Sequence, residues 1–157
     1  TTGGASVGDH DLVRPALEAW GATIDFWRVA IRPGKPLLVA RKGETIVLGL
    51  PGNPVSSYVT AFLFLLPLLR RLGGAHECLP RPLMARTSAE LPQGSSRREF
   101  LRGRLEGATV TPIDERDSSA LRALAGANAL IDRPIDAPAV PAGGEVPVYW
   151  LENGGIA

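Results

Sequence analysis

The chain has 157 residues, with 17 Lys and Arg against 16 Asp and Glu and a net charge of +1. That length suits one ordinary domain or two small ones, and the balanced charge argues against nucleic acid as the main partner. The single cysteine, Cys78, excludes an internal disulfide and fits a reducing, cytoplasmic setting, while the widely separated His10 and His76 exclude a Cys/His structural zinc site.

The opening Thr1-Thr2-Gly3-Gly4 reads as the loop after a strand. Residues 3–11 are Gly-Gly-Ala-Ser-Val-Gly-Asp-His-Asp, and their glycines permit the close backbone approach that a phosphate-wrapping loop requires. Ordinary glycine-rich turns have the same composition. Val13, Ala16, Leu17 and Trp20 then follow at helical spacing, with Gly21 as a stop and Asp9 or Asp11 at the N-terminal side as a cap.

Residues 23–31 alternate as one strand, with Trp27, Val29 and Ile31 on one face and Arg28, Ala30 and Arg32 on the other. A solvated edge and a cationic wall both fit that second face. Arg32-Pro33-Gly34-Lys35-Pro36 is a rigid turn that fixes Lys35, and 37–40 with 45–50 reads as a hairpin.

Leu50-Pro51-Gly52-Asn53-Pro54-Val55-Ser56-Ser57 joins that hairpin to a long apolar run. Asn53 is a good N-cap and Pro54 a natural first helical residue, because its missing N–H would be an orphan there. The amides of Val55, Ser56 and Ser57 are then expected to be free to hold an anion at the positive end of the helix dipole. The helix is expected to end near Leu72, before Gly73-Gly74. Its apolar stretch 60–69 is shorter than the ~20 residues of a membrane span, so it reads as a core helix and no membrane is expected.

Beyond residue 74, 83–87, 99–105, 109–113, 129–132 and 146–151 read as short strands, with one short helix at 119–125. Such spacing predicts a small β-barrel or sandwich. The fold class is therefore α/β over residues 1–74, followed by a small β-barrel-like domain over 75–157.

Four motifs occur in one order: Gly-Gly-Ala-Ser-Val-Gly-Asp-His-Asp, Phe26-Trp27-Arg28-Val29, Arg-Pro-Gly-Lys-Pro and Gly-Leu-Pro-Gly-Asn-Pro-Val-Ser. In this order they resemble the molybdopterin molybdenumtransferase family, the MoeA and gephyrin E-domain group, over the C-terminal part of such a protein. The resemblance implies part of a MogA-like molybdopterin-binding domain and a β-rich last domain. The implied reaction transfers molybdenum from molybdate to the dithiolene of adenylylated molybdopterin, with release of AMP. Mg2+ or another divalent cation is the implied cofactor.

The resemblance places Asp11, Arg28, Arg32 and Lys35 in the catalytic set, with Asp11 also the metal ligand. It places Gly4, Ser6, Gly8, Pro51, Gly52, Asn53, Pro54 and Ser56 around the pterin substrate, and Lys35, Ser56, Arg97 and Ser118 at molybdate. Arg28 and Arg32 stand where many relatives carry lysine, and guanidinium forks bind oxyanions differently from ammonium ions. Arg97 lies in Arg97-Arg98-Glu99-Phe100-Leu101-Arg102, which resembles the family's Arg-x-acid-aromatic-x-Arg strand. A surface strand and a helix cap are the plainer readings of Arg97 and Ser118. The implied partners are a second copy in a homodimer and the molybdopterin adenylyltransferase, and the chain alone is expected to be an incomplete catalyst. A non-catalytic dimerisation or peptide-binding module of the gephyrin type is the alternative from another class. A different enzyme on the molybdopterin-binding fold is disfavoured by the paired Arg-Pro-Gly-Lys-Pro and Pro-Gly-Asn-Pro-Val-Ser motifs.

Overall fold

The computed structural model describes residues 1–3, 12–113 and 121–152. The first part is built on an antiparallel sheet ordered β1 (Thr23–Arg28), β3 (Pro36–Lys42), β4 (Thr45–Gly49). Gly43, at φ +56°, turns β3 into β4. Helix α1 (Val13–Ala19) lays Leu17 on Leu38 and Ala40 of the sheet. Residues 1–3 run parallel to the end of the hairpin, where Leu50 donates to the Thr1 carbonyl at 2.8 Å and Gly3 donates to Leu50 at 3.0 Å.

A continuous helix spans Pro54–Leu72. It comprises α2 (Pro54–Thr60), a π-helical turn (Ala61–Leu65) and α3 (Leu66–Leu72). The widened turn, in which Leu66 donates to the Ala61 carbonyl, comes just before Pro67. A proline ring in a regular helix collides with the carbonyl four residues back, and a π turn is one way to accommodate it. At 19 residues the helix is long and apolar enough to cross a membrane by length and composition, and 33% of that stretch is buried. It is thus a core helix on one face only, through Val59 and Phe62.

The last part is a closed five-stranded barrel. β6 (Arg98–Glu106) pairs with β7 (Thr109–Pro112), β7 with β5 (Leu83–Thr87), β5 with β9 (Glu145–Trp150), β9 with β8 (Ala129–Arg133), and β8 back with β6. Closure leaves no free edge within the ring. The interior is aliphatic: Ala85, Val110, Ala129, Ile131, Val146 and Val148. Helix α4 (Leu121–Gly126) precedes β8.

One strand departs from the sequence expectation. Residues 23–31 do not form a single strand: β1 ends at Arg28, and β2 (Ile31–Arg32) leaves the first sheet to pair in parallel with β6, Ile31 opposite Arg98 and Arg32 opposite Glu99. Arg28 and Arg32 therefore do not share one strand face. The reason is burial: Ile31 enters an apolar seam of Val59, Phe62, Phe100, Leu130, Tyr149 and Leu151, where the long helix meets the barrel. An isoleucine removed from water there gains about 2 kcal/mol, more than continuing an exposed edge would return.

Candidate functional site

Three of the four motifs meet around the start of the long helix. The β1–β3 connection carries the cations. Arg28 pairs with Pro36 across the base of this loop, and Val29 donates to the Lys35 carbonyl at 3.1 Å. The loop is therefore closed with Arg28 and Lys35 on its two legs and Arg32 near its tip, next to a cis Arg32–Pro33 bond. Gly34 docks it on the helix: at φ +109°, a Cβ there would fall 2.4 Å from Thr60 Cγ2 and 3.1 Å from Ile31 Cδ1. No other residue type fits that contact.

Asn53 caps the helix as its sequence position suggests, with Oδ1 accepting from Val55 at 3.1 Å and Ser56 at 3.2 Å. The same contacts correct the expectation of three free amides. Val55 and Ser56 are already satisfied by the cap, and Ser57 donates to the Asn53 carbonyl at 2.8 Å. An N-cap side chain and an external anion compete for the same donors, so the amides of residues 55–57 are not an open anion cradle. Ser56 is buried and its carbonyl accepts from Thr60. Pro51 is buried, whereas Pro54 is exposed. Gly52 faces Gly3, since a Cβ on Gly52 would lie 3.3 Å from Gly3 Cα. The glycine-rich segment thus starts in contact with the Pro-Gly-Asn-Pro turn.

The barrel reaches the same place through β6. Arg98 donates its amide to Ala30 at 3.0 Å, which sets Arg97 at the end of the β2–β6 ladder. Arg97 is half-buried, and Lys35 and Arg28 are exposed. Arg28 stacks on Trp27 with its Cζ 4.5 Å from the ring centroid. Arg32 is ion-paired with Glu99 at 3.3 Å. Among the described residues, Arg28, Lys35 and Arg97 have no acidic partner, so the loop and the strand end paired with it carry three uncompensated cations and one compensated one. Such a set attracts an oxyanion.

The structure also holds a buried polar group that sequence reasoning missed. Asp132 in β8 is buried and accepts a bidentate pair from Arg98 at 2.7 and 2.5 Å. That hydrogen bond raises the already high pKa of Arg98 against the opposing effect of burial. Next to Asp132 in the same strand, burial lowers the pKa of Arg133, whose guanidinium donates to the Pro92 and Pro138 carbonyls. The signal for Asp132 is an acid directly after the apolar run Ala129-Leu130-Ile131.

Asp11, Gly4, Ser6, Gly8 and Ser118 lie outside the described residues. Among the described residues no cluster of three His, Cys, Asp or Glu side chains is poised to hold a metal. The described part of the site supplies positive charge and no ligand set for a cation.

Fold and site together define an α/β molybdopterin-binding unit joined to a closed barrel, with a cationic loop at the junction. Residues 1–71 match the family described as "Probable molybdopterin binding domain", and residues 84–151 match "MoeA C-terminal region (domain IV)". The chain belongs to the molybdopterin molybdenumtransferase (MoeA) family, whose members act in molybdenum cofactor biosynthesis. It is 35% identical to "Molybdenum cofactor synthesis protein cinnamon" of Drosophila melanogaster, over 96% of this chain and 26% of that protein. It is 32% identical to a molybdopterin molybdenumtransferase of Staphylococcus aureus, over 98% of this chain and 38% of that protein. The molybdopterin biosynthesis MoeA protein from Pyrococcus horikosii superposes with a TM-score of 0.75 at 31% identity, over 94% of this chain and 35% of that chain. The chain therefore spans well under half the length of these relatives.

Proposed function

We propose that this protein takes part in inserting molybdenum into molybdopterin, using molybdate and adenylylated molybdopterin as substrates and releasing AMP. The observation that carries the reading is the placing of Lys35 and Arg28 on the two legs of the docked loop and of Arg97 at the end of the strand paired with it, all without acidic partners among the described residues. Molybdate, the dithiolene and the phosphates are all negative. Preorganised cations in a fixed loop favour such groups at no further reorganisation cost. In this reading Lys35 and Arg97 face molybdate together with Ser56 and Ser118, Arg28 and Arg32 face the pterin phosphates, and Gly52 admits the substrate close to the backbone. Asp11 holds the divalent cation, Mg2+ in the first instance. The reading extends to a cytoplasmic homodimer.

The test is molybdate binding by calorimetry and molybdenum insertion, in the full-length protein and its Lys35→Ala and Arg97→Ala variants. Each substitution is expected to weaken molybdate binding by about tenfold, the loss of one charge-assisted contact. Wild-type binding in both variants would remove these residues from the site.

A further inference from the structure

The carboxylate of Glu99 sits where the two parts of the molecule join. Its side chain is 13% exposed, and its Oε1 accepts from Arg32 Nη1 at 3.3 Å and from Ser95 Oγ at 3.2 Å. Ser95 Oγ in turn accepts from the Arg97 backbone amide at 3.4 Å. Glu99 is also the ladder partner of Arg32 on one side, in β2, and of Arg133 on the other, in β8. One barrel carboxylate is thereby connected to two cations of the oxyanion site, directly to the Arg32 guanidinium and through Ser95 to the main chain that carries Arg97.

From this network we infer that Glu99 is a positioning residue for the oxyanion site, holding Arg32 and Arg97 in their relative places through hydrogen bonds of one carboxylate oxygen. The inference rests on the oxyanion reading of the site given above. An acid beside an anion site is otherwise counterproductive, because its charge repels the ligand. What offsets that repulsion is geometry: a long arginine side chain has several rotatable bonds, and fixing it beforehand spares part of the entropy of ordering it on binding. The carboxylate is well placed for that work, since it belongs to a barrel strand paired on both sides and Arg133 holds opposite charge close by.

Charge and geometry make opposite predictions, so the roles separate experimentally. Molybdate binding to the full-length protein is measured by calorimetry for wild type, Glu99→Gln, Glu99→Ala, Arg32→Ala and the Glu99→Ala/Arg32→Ala pair, with thermal midpoints recorded alongside. Glutamine keeps an acceptor for Arg32 and Ser95 and drops the charge, whereas alanine drops both. Expected is wild-type or tighter binding for Glu99→Gln and a loss of roughly five- to tenfold for Glu99→Ala. The double variant is expected to lose less than the sum of the two single losses, because the part of the Glu99 effect that passes through Arg32 is counted once. Tighter binding in Glu99→Ala would make Glu99 a plain counter-charge and overturn the inference. Equal losses in both Glu99 variants, or additive losses in the pair, would overturn it as well. If the wild type bound no molybdate, the oxyanion reading itself would fall, and the inference with it.

Discussion

The barrel interior and the seam under the long helix are both apolar, yet they are assembled in different ways. The interior draws Ala85, Val110, Ala129, Ile131, Val146 and Val148 from strands of one closed sheet. The seam draws Ile31 from the short strand β2, Val59 and Phe62 from the helix, and Phe100, Leu130 and Tyr149 from the barrel. Aliphatic alternation alone fills the first. The second needs large aromatic side chains, with Phe62 edge-on to Tyr149 at 6.1 Å and Phe100 tilted against it at 6.2 Å. The cationic loop hangs from the seam rather than from the barrel, so the site depends on the joint between the two parts.

The largest expected effect tests that dependence. Phe62→Ala should cost about 3–5 kcal/mol of stability, the usual price of deleting a buried phenyl group. If the seam makes one cooperative unit, chemical unfolding followed through Trp20 and Trp27 in the first part and Trp150 in the barrel will stay coincident in wild type. Separate transitions for the two sets of tryptophans would break the comparison, because the barrel would then stand without the seam.

Gly34→Ala comes next. The new methyl group would meet Thr60 Cγ2 at a φ of +109°, and overpacking with an unfavourable backbone should together cost roughly 2–4 kcal/mol. Thr60→Ser removes the obstructing methyl. The pair Gly34→Ala/Thr60→Ser should therefore recover the packing part of the loss in a urea midpoint and keep the backbone part. No recovery would mean that the loop is not seated on Thr60. A smaller change is expected at the helix start. Asn53→Ala leaves the Val55 and Ser56 amides without their cap and should cost about 1 kcal/mol. It also frees those amides, so a gain in anion binding with a loss in stability would show directly that the cap and a ligand compete.

These residues also show what local sequence could and could not reveal. The strand Leu83–Thr87 was legible to its ends, because alternation is bounded by prolines before it and polar turn residues after it. The helix was legible from Asn53-Pro54 and from the apolar run to Leu72, although no local signal announced the π turn. The break after Arg28 was not legible. Trp27, Val29 and Ile31 keep strand phase straight through it, and the partner that captures Ile31 and Arg32 lies 67 residues further along the chain. Glu99 stood in a recognisable motif, but its link to Arg32 is non-local for the same reason. The amides of residues 55–57 differ in kind: sequence shows that donors exist at a helix start, and only the structure shows that Asn53 takes them before an anion can.

The smallest effect concerns pH and belongs to the seam alone. Burial, with the negative charge of Asp132 beside it, raises the pKa of the Tyr149 phenol above its ordinary value near 10, and the hydroxyl donates to Asp132. In the unfolded chain the phenol ionises at its ordinary pKa, while in the native state it holds its proton longer. The native state therefore binds more protons above about pH 10, and stability falls as pH rises toward the native pKa. Below that range the contribution is fully present. Tyr149→Phe removes the titrating group and should flatten the alkaline fall in urea midpoints between pH 9 and 11, at the cost of the bond to Asp132. No phenol titrates in the barrel interior of Ala, Leu, Ile and Val residues, so Val148→Ala should lower stability equally at every pH in that range. If Tyr149→Phe leaves the alkaline slope unchanged, the seam is open to water where the structure has it closed, and the contrast with the barrel interior loses its physical basis.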